Sequence, residues 1–113
     1  MKKVKISQIF ECNKVLFKLF EQGNKFPISL GFRLYKMMKR FEEVEEYVFE
    51  LMDMAFENYD WGNMTDEQKK FYSNVMSQEI EIEFEKIPSE FFEKSNDLML
   101  TLDEMEKISL ILC

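Results

Sequence analysis

Polar and apolar residues alternate through Lys3, Val4, Lys5 and Ile6, a period of two that predicts a short strand with Val4 and Ile6 facing inward. Ser7 then stands where a helix cap belongs, and the period changes. Ile9, Phe10, Cys12, Val15, Leu16, Leu19 and Phe20 recur at helical spacing, and Gly23-Asn24 supplies the usual left-handed stop. Pro27 suits a first helical turn. Beyond it Leu30, Leu34, Met37, Phe41, Val44, Val48, Leu51 and Ala55 are separated by alternating steps of four and three, a heptad seam. With Gly31 the one weak helix former near its start, the pattern predicts a continuous helix over residues 28–58, on the order of 48 Å long at ~1.5 Å per residue. Phe32, Tyr35, Met38, Phe49, Met52, Phe56 and Tyr59 widen the apolar surface toward both ends of that helix.

Asp60-Trp61-Gly62-Asn63 reads as a loop. Thr65 with Gln68, and later Thr101 with Glu104, have the spacing of capping boxes that open helices. The first of these helices runs through about Met76 with Phe71, Tyr72, Val75 and Met76 on one face; the second carries Leu102, Met105, Ile108, Leu110 and Ile111 to the C-terminus. Between them residues 79–87, EIEIEFEKI, read as the clearest strand, alternating from Glu79 through Glu85. Ile80, Ile82 and Phe84 face one way, and Glu79, Glu81, Glu83 and Glu85 the other. Pairing this strand with residues 3–6 sets lysines across from glutamates, a favourable cross-strand match. Phe91 and Phe92 are expected to plug the core after Pro88. The expected fold is α+β and predominantly helical: a small two-stranded sheet, 3–6 with 79–87, packed on a helical core dominated by one long helix, all in a single domain over 1–113.

Composition narrows the chemistry. With 46% hydrophobic residues the chain can bury a core, and 3 Gly and 2 Pro leave few tight turns. There is no His, so neither a Ser-His-Asp nor a Cys-His site can be built from this chain alone. Cys12 and Cys113 have no metal-ligand spacing and read as free thiols of a reducing compartment. No phosphate-cradling glycine motif, signal peptide or membrane-length apolar run is present, which points to a cytoplasmic protein that is not an enzyme and needs no cofactor or metal.

The net charge of −7 hides a polarity. Residues 1–41 hold ten basic residues against two acidic, net +8; residues 42–113 hold five against twenty, net −15. The two halves either pair internally or present a basic end and an acidic end.

The strand KVKIS leading into a helix, the long basic-then-acidic helix, the acidic strand EIEIEFEKI and the closing LTLDEMEKISLIL together resemble a family of small uncharacterised proteins encoded by phages of low-GC bacteria. The resemblance spans most of the chain and is weakest over 58–66. It implies a mobile-element context, with host-cell cytoplasm as the site of action, and no catalytic motif.

Two sets of residues are candidates for partner binding. Glu79, Glu81, Glu83 and Glu85 would stand about 6.6–6.8 Å apart on a strand, close to the spacing of successive phosphates. Glu42, Glu43, Glu45 and Glu46 on the long helix, followed by Glu50, Asp53 and Glu57, would extend the negative surface. The plainer reading of the strand row is a solvated face partly neutralised by Lys3 and Lys5. Lys14, Lys18, Lys25, Arg33, Lys36, Lys39 and Arg40 form a basic group with no aromatic platform evident beside it, so direct nucleic-acid binding is not expected. The resulting expectation is a protein-binding module of the anti-CRISPR or anti-defence type. It would block a host or defence protein, a nucleic-acid-binding one being the natural fit to the acid row, and would not engage membrane. The alternative is a phage structural or virion-assembly accessory working through the heptad helix, as a monomer or as a homodimer through it.

Overall fold

Four residues, Lys2–Lys5, form β1, and the chain turns directly into α1, Ile6–Glu21. The computed structural model describes residues 2–21, 28–90 and 100–112. After α1 come α2 (Ile28–Ala55), α3 (Asp66–Met76), β2 (Glu79–Ile82) and α4 (Leu102–Ile108), which tightens into a 3₁₀ turn at Ser109–Ile111. The architecture is α+β and mostly helical, as the periodicities predict. The expected stop at Gly23-Asn24, Pro27 and the plugs Phe91 and Phe92 lie outside the described residues.

β1 and β2 pair antiparallel, with Lys3 opposite Glu81 and Lys5 opposite Glu79. The sheet is shorter than the alternation predicts. β2 ends at Ile82, which pairs with Lys2, so Glu83 and Glu85 lie beyond the strand. The backbone is held there by other means: Arg40 Nε donates to the Glu83 carbonyl at 3.1 Å, and Ile87 N–H donates to the Ile111 carbonyl at 2.7 Å in an isolated bridge to the C-terminal segment. Ser7 is not a cap, since α1 already begins at Ile6. The Gln8 carboxamide oxygen fills that role by accepting the Lys5 N–H.

α1 and α2 lie antiparallel, Phe10 meeting Phe49 and Asn13 meeting Glu45. The larger core gathers Ile9, Leu16 and Leu19 of α1, Leu30, Leu34 and Phe41 of α2, and Ile82, Ile87, Ile108 and Ile111. A smaller one joins Ile6 and Phe10 to Val48 and to Val75 of α3. Each fully buried aliphatic or aromatic side chain contributes roughly 1.5–3 kcal/mol before chain entropy is set against it. The molecule measures 47 × 30 × 23 Å, so α2 spans nearly its whole length.

The buried stripe of α2 departs from the heptad seam in its second half. Leu30, Leu34, Met37, Phe41 and Val48 are buried, but Leu51 is half-buried and Ala55 exposed, while Met52 is fully buried. An α-helix that is not supercoiled keeps about 3.6 residues per turn, and a 3.5-residue seam on it drifts by ~20° per heptad. Burial follows Leu30, Phe41 and Met52, steps of eleven. α2 also stops at Ala55 rather than at 58. Phe56 N–H still bonds the Met52 carbonyl, but Tyr59 folds back to donate its hydroxyl hydrogen to Asp53 Oδ1 at 2.6 Å, and Gln68 Nε2 takes the Asn58 carbonyl. Both predicted capping boxes form, at Thr65–Gln68 and at Thr101–Glu104.

Candidate protein-binding surface

The C-terminal half of α2, the loop after it and the start of α3 are rich in exposed acids. From Phe41 through Gln68 the chain contains no Lys or Arg. Glu43, Glu46, Glu50, Asp53, Glu57, Asp60, Asp66 and Glu67 are all exposed. The opposite end of α2 carries Arg33, Lys36, Lys39 and Arg40. This order runs against the helix dipole, which favours acids in the first turn and bases in the last. α2 has neither, and Asp53 sits in its last turn. α3 and α4 both follow the rule, with acids in their first turns. The polarity of α2 therefore does not serve the stability of α2.

The eight glutamates singled out in the sequence are not equivalent. Glu79 and Glu81 are exposed on β2 across from Lys5 and Lys3. Glu83 and Glu85 are exposed but off the strand, and Glu85 meets Arg33 at 3.4 Å. The evenly spaced row of four carboxylates is thus cut to two, with cations beside it. On α2, Glu43 and Glu46 face solvent, and Glu42 is half-buried and paired with Lys39 at 3.2 Å. Glu45 turns toward α1, where its Oε1 accepts from Asn13 Nδ2 at 2.6 Å. Burial pushes the Glu45 carboxyl above its ordinary range; Glu42 adds to the rise, and the Asn13 hydrogen bond and Lys14 oppose it. Asn13 is itself buried, and among the described residues its Oδ1 has no hydrogen-bond partner.

Internal pairing of the two halves is real but local. Lys18 Nζ reaches Glu104 Oε2 at 2.6 Å, tying α1 to α4. The hydrogen bond from Lys18 and that from the Thr101 backbone hold the Glu104 carboxyl down at about 2. Cys12 is buried and among the described residues has no disulfide partner; desolvation pushes its thiol up to about 12, which makes it a poor nucleophile.

Sequence periodicity did not show that loop 56–63 organises aromatic rings drawn from four segments. Trp61 meets Phe49, Tyr59 and Tyr72 edge to face, with centroids at 5.7, 5.1 and 5.3 Å. Phe49 continues to Phe10 at 6.2 Å, and Phe56 packs on Phe71 at 5.4 Å. Phe49 and Trp61 remain 42% and 46% exposed, so this cluster is half core and half surface. Its one advance signal is Tyr59-x-Trp61 in a segment otherwise made of turn residues. At the basic end, where the sequence shows no aromatic platform, Phe32 and Phe84 line a groove of about 760 Å³ with Arg33, Lys36 and Arg40.

Among the described residues no three carboxylates and thiols gather to hold a metal ion, and no helix is long and apolar enough to cross a membrane. Compared with known proteins, the chain matches no family model, and no curated protein or solved structure matches it significantly.

Proposed function

We propose that this chain is a non-enzymatic protein-binding module that engages a basic surface of a partner protein through the acidic C-terminal half of α2. The observation that carries the reading is the run of eight exposed acids with no intervening base, which begins with Glu43, Glu46, Glu50 and Asp53 on α2, toward the end where its dipole disfavours acids, and continues through Glu57 and Asp60 of the loop to Asp66 and Glu67 of α3. Carboxylates of one sign on a rigid element steer a cationic partner during encounter and reject anionic surfaces. The phage-family resemblance supplies the biological setting, a host or defence protein that itself binds nucleic acid, blocked in the manner of an anti-defence protein. The virion-assembly alternative through the heptad helix has less support, because Leu30, Leu34, Met37, Phe41 and Val48 are covered by the chain's own elements.

The test is affinity capture from host cells followed by mass spectrometry, then binding of the captured protein to two variants. Changing Glu43, Glu46 and Glu50 to Gln removes charge with little change in shape. At up to ~1 kcal/mol per exposed pair, binding should fall by about an order of magnitude or more. Changing Glu79, Glu81, Glu83 and Glu85 to Gln should do less, since three of the four already face a cation. Unchanged affinity in both variants sinks the proposal.

A further inference from the structure

We infer that the Trp61 cluster is the recognition point of the acidic face and takes an arginine side chain from a protein partner. The inference rests on the reading that this face binds protein, and it names the chemistry at the centre of that contact. Trp61 is held from three sides by Phe49, Tyr59 and Tyr72, yet nearly half of its surface stays open. Rings fixed by neighbours lose little entropy when a partner covers them, and partly exposed Trp and Tyr in such settings dominate binding energy. Core formation alone does not require this placement, since the smaller core is built from Ile6, Phe10, Val48 and Val75 beneath it.

The charges around the rings select the occupant. Glu46 and Asp53 lie one turn before and after Phe49 on α2, and Asp60 precedes Trp61. Asp53 Oδ1 accepts the Tyr59 hydroxyl at 2.6 Å, which fixes that ring. Among the described residues Asp53 Oδ2 takes no hydrogen bond, leaving an acceptor at the hydroxyl edge of the Tyr59 ring, which itself packs on Trp61. The nearest bases in the chain, Lys69 and Lys70, are exposed residues of α3, whose buried positions are Gln68 and Val75. An aromatic face with a carboxylate at its edge matches guanidinium, whose plane stacks on rings while its N–H fork pairs with carboxylate. Lysine, a compact and strongly hydrated charge, fits the first feature and wastes the second.

Trp61 is the single tryptophan of the chain, so its fluorescence reports on this site alone. The probe is a short Gly-Arg-Gly-Arg-Gly peptide titrated into the full-length protein, beside the same peptide with citrulline in place of arginine. Citrulline keeps shape and removes charge. The expected result is a saturating change in Trp61 emission with the arginine peptide, at least tenfold weaker with citrulline. Asp53→Asn, an exposed change whose folding is checked by far-UV circular dichroism, should weaken the arginine peptide about fivefold. A linear, non-saturating response, or equal responses to the two peptides, overturns the inference. If the Glu43, Glu46 and Glu50 variant loses its captured partner while the arginine peptide leaves Trp61 unchanged, the acidic-face reading stands and this inference falls. If the peptide saturates at Trp61 while that variant binds its partner as well as wild type, the arginine site stands and the broader reading falls.

Discussion

Asn13 and Glu45 form a mismatched pair between α1 and α2. One amide hydrogen bond joins them at 2.6 Å, while Asn13 Oδ1 is buried with no donor among the described residues and a carboxylate is held partly out of water. Glutamine at 45 would keep the acceptor, remove the charge and offer an N–H to Asn13 Oδ1, closing a reciprocal amide pair. A buried acceptor without a partner costs about 1–3 kcal/mol. Glu45→Gln should therefore stabilise the protein by about 1 kcal/mol at pH 7, read as a higher urea midpoint. The gain should shrink as pH falls through the raised Glu45 pKa, since a protonated Glu45 is already neutral. Equal or lower stability of the variant at pH 7 would show that the carboxylate is fully solvated. Glu104 behaves in the opposite sense. Its folded-state pKa, about 2, lies below the ordinary 4.5, so its contribution is complete above about 4.5 and lost as pH falls toward 2. Comparing wild type with Lys18→Met across that window should show a stability gap that is constant at neutral pH and narrows on acidification.

At the scale of elements, the two halves of α2 test two readings of its periodicity. A heptad seam makes Leu51 and Ala55 core residues; α2 buries Met52 instead, as a 3.6-residue period places it. Met52→Ala should cost about 2–4 kcal/mol by chemical denaturation, and Ala55→Gln should stay within ~0.5 kcal/mol. Reversal of that order would place the seam where the heptad puts it. Where the pattern succeeded, its cause was local or chemically explicit: the capping boxes at Thr65 and Thr101 depend on neighbours three residues away, and the strand pairing matched lysines with glutamates. Where it failed, something distant decided. β2 ends at Ile82, opposite Lys2, although the alternation runs on through Phe84, because the length of a strand depends on the partner it pairs with and not on its own pattern. The acids of α2 were legible as a surface, except that Glu45 needs the position of Asn13, thirty-two residues earlier, to be seen turning inward. The aromatic cluster was the least legible, because Phe10, Phe49, Trp61 and Tyr72 come from four segments and share no period.

Over the whole molecule, charge separates along an axis of 47 Å, several times the ~8 Å over which charges are felt at physiological salt. The basic and acidic ends of α2 are too far apart to neutralise each other within one molecule, and the ion pairs that do form, such as Lys18–Glu104 and Lys39–Glu42, are local. Such a molecule has two ways to associate with itself, and salt separates them. Contact between the acidic end of one copy and the basic end of another is electrostatic and weak. A coiled coil through α2 would be hydrophobic and would have to uncover Leu30, Leu34 and Phe41 from the core that now holds them. Exposing three such side chains costs roughly 1.5–3 kcal/mol each, which a dimer would have to recover before gaining any affinity. The protein should therefore be monomeric at physiological salt, with a light-scattering mass near 13.7 kDa. At low ionic strength its apparent mass should rise with concentration and fall back on adding salt. The Glu43, Glu46 and Glu50 to Gln variant should lose that rise. A dimer mass that persists unchanged in high salt would instead identify an apolar interface, and the exposed stripe of Phe32 and Tyr35 on the outer side of α2 would be its place.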